Sequence, residues 1–233
     1  MSTFKPRSKK GWLFTQSWHD VLFIHWPVEI DRLRRFVPEL LRIDTFDQEA
    51  WVTLIPFSVS HFRARFTPPV PFLHRFFEVN FRTYVTYDGV PGVYFIRLDA
   101  SSKLAVFGAK TFFHLPYFYA RITMNKDGKK RTFQSVRDDG KIFVHYEPKG
   151  SPIVKDPLSA WLVERYRLYT MNGSTLYYED LFHKPWTLED VEIFECNETF
   201  FERYSLTKRR KEPIYHYARL QNVFLLPQHR LHH

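Results

Sequence analysis

Glu78, Asn80, Arg82 and Tyr84 alternate with Val79, Phe81, Thr83 and Val85 in a segment that ends at Asp88-Gly89. A carboxylate, an amide, a guanidinium and a phenol are the groups that acid–base chemistry and anion recognition use. A carboxyl group can give or take a proton near neutrality when burial raises its pKa. A guanidinium can grip a carboxylate through two parallel hydrogen bonds. Strand side chains point alternately to opposite faces. Glu78, Asn80, Arg82, Tyr84 and Thr86 therefore share one face, and Val79, Phe81, Thr83, Val85 and Tyr87 the other. Alternate strand residues lie ~7 Å apart and residues four apart ~13 Å. Glu78 and Arg82 thus need partners from other strands. Such a face is either solvated or lines a polar cavity, and structural ion-pair networks use the same residue types.

Two further residues have the chemistry to join this set. Tyr117 can donate a hydrogen bond to a ligand oxygen, although a buried tyrosine is more often a packed aromatic with its hydroxyl satisfied. Lys110 can bind an anion, although most lysines lie at the surface. In a strand reading, Lys110 shares its face with Phe112 and His114. His25, Arg165 and His183 read as structural, since a lone buried histidine is usually just hydrogen-bonded. The eleven histidines form no metal-ligand pattern, and there is no His-Glu-x-x-His. No nucleophile elbow and no glycine-rich phosphate loop occurs. Neither a metal nor a cofactor is expected.

The elements that must position these residues are mostly strands. Trp51–Arg65 is a long β-rich stretch interrupted at Pro56. Gly92–Ala100, Leu104–His114, Ala120–Asn125, Arg131–Arg137, Lys141–Glu147, Ser174–Phe182, Val191–Thr199 and Tyr215–Leu226 follow. Two helices are expected. Pro27–Val37 carries Ile30, Leu33 and Val37 at helical spacing, with acidic residues early and Arg34-Arg35 late. The second starts at Asp156-Pro157, a cap followed by proline at the first position. Leu158, Leu162, Tyr166 and Tyr169 form its apolar face, and Asn172-Gly173 ends it. Many strands and few helices point to one antiparallel barrel or sandwich. A doubly wound α/β sheet would need helices between most strands. A single domain over residues 1–233 is expected.

The 233 residues are 44% hydrophobic and 18% aromatic, with 24 Phe and 13 Tyr, enough for a sizeable core. Disorder and collagen-like repeats do not fit this composition. The net charge of +9 collects at Lys5, Arg7, Lys9 and Lys10, around Asp127-Gly128, and at Lys208–Lys211. A basic surface attracts nucleic acid, anionic lipid or small anions, but tips and termini are where solvated charge is expected. No RNA-recognition signature accompanies these groups, so nucleic acid is not an expected partner. One cysteine, Cys196, rules out an internal disulfide and a cysteine metal cluster. The basic N-terminus lacks a clean apolar stretch with a cleavage site, so no secretory leader is expected, and no run approaches roughly 18 apolar residues. The chain reads as soluble and cytoplasmic, with no membrane partner. The terminal His232-His233 carries no argument.

Several segments resemble the YqjF-like family of uncharacterised bacterial proteins, relatives of acetoacetate decarboxylase. They are Phe23-Ile24-His25-Trp26-Pro27, Ala50-Trp51-Val52-Thr53-Leu54-Ile55-Pro56-Phe57, and Phe77 to Val85. Gly92 to Ala100, Leu115-Pro116-Tyr117, Leu162 to Tyr166 and His183-Lys184-Pro185-Trp186 complete the set. The resemblance runs in order from about residue 12 to 190. It implies a mainly β fold, an acetoacetate-decarboxylase-like antiparallel β-barrel with a cavity, and at least a dimer. The decarboxylase forms an imine through a lysine activated by a neighbouring lysine, a pair that follows Gly-x-Pro. The equivalent here is His114-Leu115-Pro116-Tyr117-Phe118, which puts Tyr117 and Phe118 where the lysines belong. Glu78, in Arg75-Phe76-Phe77-Glu78, matches the cavity glutamate of the decarboxylase.

The reading that follows is a barrel whose cavity binds a small organic acid or carbonyl compound. Arg82 holds the ligand, Asn80, Tyr84, Lys110 and Tyr117 lie around it, and Glu78 serves as acid or base without imine formation. A non-catalytic ligand- or partner-binding barrel is the alternative, and a nucleic-acid-binding protein rests on charge alone.

Overall fold

The computed structural model describes residues 5, 6, 8–70, 73 and 75–231. Arg7 of the N-terminal basic group, His232-His233 and the side chain of Phe112 lie outside the described set. The chain begins with β1 (Phe14–Val28), α1 (Ile30–Arg34), β2 (Arg42–Ile43), β3 (Thr45–Phe46), β4 (Glu49–Ala64), β5 (Arg75–Tyr87) and β6 (Val90–Ala100). Then come α2 (Lys103–Phe113), β7 (Tyr117–Tyr119), β8 (Arg121–Asp127), β9 (Lys130–Arg137), β10 (Gly140–Pro152) and α3 (Pro157–Val163). β11 (Arg167–Asn172), β12 (Thr175–Phe182), β13 (Glu189–Glu198), α4 (Phe200–Arg203) and β14 (Ile214–Arg230) complete it.

Strands β1-β4-β5-β6-β11-β12-β14 form a closed barrel of 7 strands, sealed where β14 pairs β1 from Phe14↔Leu225 to His25↔Ile214. The expected antiparallel pairing holds around the ring except at β6–β11, which is parallel. Beyond β14 the sheet continues through β13, β10, β9 and β8. This extension folds back over the outside of the barrel. Phe133, Ile142, Val144 and Tyr146 from it share a core with Leu22, Leu54, Val79, Phe81 and Val85. A second core fills the barrel with Phe23, Trp51, Phe57, Tyr84, Phe95 and Trp161.

Two layers of packing bury β5 on both faces. Val79, Phe81 and Val85 point out under the covering sheet. Glu78, Asn80, Arg82 and Tyr84 point inward and are buried. The polar face is therefore interior.

Pro56 does not interrupt β4. It sits where β1 departs from its register, between His19↔Ser58 and Ile24↔Leu54. A proline has no N–H to offer a neighbouring strand, so it is tolerated where the ladder lapses. Asp20 occupies that bulge with φ 50 and is buried. It accepts hydrogen bonds from Tyr217 at 2.7 Å and Arg131 at 3.2 Å, and pairs with Lys126 at 2.5 Å. The basic hairpin tip is thus partly neutralised against the barrel rather than wholly solvated.

Three elements differ from expectation. Leu104–His114 is a helix, α2, not a strand. Ser102 caps it by accepting from the Ala105 N–H, and His114 ends it in the left-handed region at φ 54. Capping outweighs the strand preference of its aromatic and β-branched residues. The helix from Asp156 stops at Val163, and Arg167–Asn172 becomes β11, held between β6 and β12. Asn172-Gly173 turns the β11–β12 hairpin. α1 keeps only Ile30–Arg34 of the expected helix, because Pro27 and Val28 stay in β1 paired with Trp51 and Ala50.

The parallel join depends on Gly92. A Cβ there would lie 2.6 Å from the Tyr169 ring and 2.8 Å from the Arg167 carbonyl oxygen. Gly92→Ala is expected to cost about 1–3 kcal/mol, because overpacking against backbone cannot relax cheaply. A shift of the urea midpoint at constant slope measures it.

Candidate functional site

The inward residues of β5 sit at successive depths in the barrel. Glu78, the first of them, lies between Phe57 of β4 and Ala100 of β6 in register. The Tyr117 hydroxyl donates to Glu78 Oε1 at 3.0 Å. Tyr117 reaches it because α2 ends at His114 and β7 runs parallel to β6, opposite Leu98. Burial pushes the Glu78 carboxyl up to about 8, with the Tyr117 hydrogen bond pulling weakly the other way. Burial first, and then the Glu78 charge, raise the Tyr117 phenol well above its ordinary range. At neutral pH both groups carry their protons, so the pair can donate to an acceptor placed against it.

Above this pair lies a cavity of about 480 Å³. α2 forms one wall through Leu104, Ala105, Phe107 and Gly108, and Phe14, Phe62, Phe76 and Leu225 form others. Among the described residues, its polar lining is Gln16, Glu78 and Tyr117. That size and an apolar wall with few convergent polar groups are the usual properties of a small-molecule site.

Asn80 and Arg82 line a different void of about 20 Å³, with Phe23, Phe57, Arg165 and His183. Arg82 Nη2 donates to the Leu162 carbonyl at 3.3 Å, and its Nε has no hydrogen-bond partner, nor has Asn80 Oδ1. Among the described residues no carboxylate pairs with Arg82, and burial lowers its pKa. A void of this size admits about one water, so Arg82 is not placed to grip a ligand in the large cavity. Arg165 lies just past the end of the helix at Val163 and is held by Asp44 at 2.7 Å and the Trp161 carbonyl at 2.8 Å.

Tyr84 is deeper still. Its hydroxyl donates to the Leu162 carbonyl at 3.0 Å and meets Thr53 at 2.6 Å. A chain of hydrogen bonds then runs from Thr53 to His25 at 2.8 Å, His216 at 3.1 Å and Ser159 at 2.9 Å. Burial holds His25 well below its ordinary pKa and brings His216 to about 4, so both rings are neutral. This network ties β1, β4, β5, β14 and α3 together.

Lys110 stands apart. As part of α2 it lies over the Phe118 ring at 4.9 Å, and it lines none of these spaces. The expected face shared with Phe112 and His114 does not exist, because the segment is helical. No described lysine lines the large cavity, which leaves imine formation without its amine there. Among the described residues no three His, Cys, Asp or Glu side chains cluster as a metal site.

One buried acid escaped the sequence reading. Glu179 of β12 is fully buried and neither carboxyl oxygen has a hydrogen-bond partner. Burial, and then the Asp180 charge, raise it to about 8, and its charge reaches Tyr117. Alternation would have placed Glu179 with Leu181 on an otherwise apolar face, but the adjacent Asp180 makes that face hard to choose from sequence. Asp180 itself points away and pairs with Arg167 at 2.6 Å.

Elsewhere the basic groups are partly paired. Lys208 meets Glu198 at 2.7 Å and Arg210 meets Glu49 at 3.2 Å. No described helix is long and apolar enough to cross a membrane.

Comparison with known proteins bears on this geometry. Among solved structures, an acetoacetate decarboxylase from Legionella pneumophila superposes with a TM-score of 0.67 at 12% identity, covering 100% of this chain and 93% of that one. An acetoacetate decarboxylase-like enzyme from Sphingomonas wittichii RW1 gives 0.65 at 12% identity, covering 99% and 98%. The enduracididine biosynthesis enzyme MppR complexed with pyruvate gives 0.64 at 12% identity, covering 98% and 91%. At such identities these likenesses establish the fold. In sequence, the uncharacterized protein YqjF of Bacillus subtilis (strain 168) is 44% identical over 221 residues, covering 93% of this chain and 91% of its own. The DUF2071 family, described as an uncharacterized conserved protein, matches residues 15–222. The chain therefore belongs to the DUF2071 family, with YqjF as a relative and an acetoacetate-decarboxylase-like barrel as its fold.

Proposed function

We propose that this protein binds a small organic acid or carbonyl compound in the cavity beneath α2, and acts on it through Glu78 as a general acid or base without an imine intermediate. The observation that carries the reading is the Glu78–Tyr117 pair at the polar end of that cavity. Glu78 has a phenol beside it, no described cation in the cavity wall to neutralise it, and open cavity in front of it. A carboxyl held near 8 is suited to proton transfer near neutrality, where the acid still has its proton and the base form is within reach. That the solved neighbours include a decarboxylase and an enzyme complexed with pyruvate supports a carbonyl compound as the ligand class.

A ligand that binds only the folded state raises the melting temperature by mass action. In a screen of keto acids, hydroxy acids, ketones and aldehydes at pH 6, at least one class is expected to raise it. The shift is expected to fade as the pH passes about 8, where Glu78 loses the proton it donates. In Glu78→Gln, which cannot ionise, that pH dependence is expected to vanish. A folded parent that no compound stabilises at any pH would overturn the reading.

A further inference from the structure

We propose that the cavity beneath α2 selects an uncharged carbonyl compound with a hydrocarbon body, a medium-chain ketone or aldehyde, and discriminates against the carboxylate of the same length. The inference rests on the cavity being the ligand site and names what enters it.

Charge is the first argument. A carboxylate moved out of water needs a cation or several strong donors to replace its hydration, and stays out when it has neither. The described wall of the cavity contains no lysine and no arginine. The one acid of the described wall, Glu78, adds like-charge repulsion whenever it is ionised. The guanidinium that could compensate, Arg82, opens on a separate void four residues along β5. Lys110 lies on another side of its helix, over Phe118.

Shape and wall chemistry are the second. About 480 Å³ is more than a two- or three-carbon acid fills. The space is walled by aromatic and aliphatic groups, among them Phe14, Phe62, Phe76 and Leu225, and the polar groups of the described wall are Gln16 and the Glu78–Tyr117 pair. A molecule that matches has one hydrogen-bond acceptor at one end and hydrocarbon along the rest. A carbonyl oxygen against the protonated pair accepts a hydrogen bond without bringing charge.

The entrance is the third. Leu104 and Phe107 line the cavity and are also 47% and 65% exposed. Among the described residues that line the cavity, those between this exposed edge and Glu78 are apolar apart from Gln16, and none is a lysine or an arginine.

Calorimetric titration of the parent at pH 6.5 with 2-alkanones of six to ten carbons, and with straight-chain carboxylates of the same lengths, tests this. Ketone affinity is expected to rise about four-fold per added methylene, and the carboxylate of equal length to bind at least ten-fold more weakly. Gly108→Trp is expected to abolish ketone binding while the protein stays folded. Gly108 lines the cavity and a Cβ there meets nothing within 4 Å, so the substitution brings no clash at its base. Ala105→Phe, on the same wall, repeats the test if the tryptophan unfolds the helix. Carboxylates that bind as tightly as ketones or tighter would overturn the selectivity and leave the proposed function standing. Ketones that bind equally at every length, or that bind the filled variants unchanged, would overturn the hydrocarbon pocket. A folded parent that binds neither series would remove the ligand site itself.

Discussion

Above pH 8, Glu179→Gln is expected to be more stable than the parent by roughly 2–4 kcal/mol, and below about pH 4.5 the advantage is expected to disappear. Glu179 is buried with no hydrogen-bond partner for either oxygen, and burial carries its carboxyl from 4.5 to about 8. Below 4.5 the carboxyl is protonated in both the folded and unfolded chain and the residue contributes no pH dependence. Between 4.5 and 8 the unfolded chain releases the proton while the folded one keeps it. The folded state then binds more protons, so stability falls as pH rises across that window. Above 8 both states are ionised and the full penalty is present. At about 1.4 kcal/mol per pH unit the shift sets a ceiling near 5 kcal/mol, and local relaxation around a buried charge brings the expectation below it. Glutamine has the same shape and never ionises, so all other titrating groups cancel in the difference. Urea unfolding of both proteins at pH 4.5, 6, 7, 8 and 9 gives the comparison. Two curves that stay parallel would mean that Glu179 is ionised and accommodated in the folded state.

Arg97→Ala is expected to cost about 3–5 kcal/mol at neutral pH, the range for stripping one partner from a buried ion pair. Arg97 forks onto Asp99, with Nε to Oδ1 at 2.8 Å and Nη2 to Oδ2 at 2.6 Å, and each side chain is 1% exposed. Its Nη1 reaches the Asp139 carbonyl at 3.2 Å and carboxylate at 3.1 Å. Gly140 makes room for that reach, since a Cβ there would lie 2.8 Å from Nη1. The network thus joins β6 to the β9–β10 turn, holding the covering sheet against the barrel. Without Arg97, Asp99 retains Arg137 at 3.6 Å and little else. The paired substitution Arg97→Met with Asp99→Leu is expected to recover most of the loss, because apolar replacement of both charges removes the uncompensated one. Urea unfolding of the single and double variants yields the coupling. A loss under about 1 kcal/mol in Arg97→Ala would show that water or Arg137 satisfies Asp99 on its own.

β5 was legible because both its faces carry unmixed patterns. Val79, Phe81 and Val85 mark one side, and Glu78, Asn80 and Arg82 the other. Sequence could not choose between solvent and interior for the polar side, since that depends on strands that pair across 200 residues. α2 was misread because phenylalanine and valine dominate it, while its deciding residue, Ser102, lies just outside. The second half of the expected helix after Asp156 failed for a different reason. Its apolar residues at helical spacing also alternate well enough to pair with β6 and β12, and tertiary pairing decided. Within the site, Glu78 and Tyr117 were found separately, and the turn after α2 brings them together. Alternation put Arg82 on the same face as Glu78, and that face is buried. Its void and the Glu78 cavity are lined by different residues, most of them from elements other than β5, which no local pattern reveals.

Closure of the barrel has a kinetic consequence. The seam joins Phe14 to Leu225, so the last strand of the ring is made some 200 residues after the first. Until then β1 and β12 both present unpaired edges, and such edges template association with other chains. Contacts this distant in sequence also slow folding, because loop-closure entropy is lost before the pairing repays it. The central ring therefore stays open until β14 has been made, whatever the earlier strands have already paired. Expression at lower temperature or with a holdase chaperone is expected to raise the soluble fraction more than any change within the core.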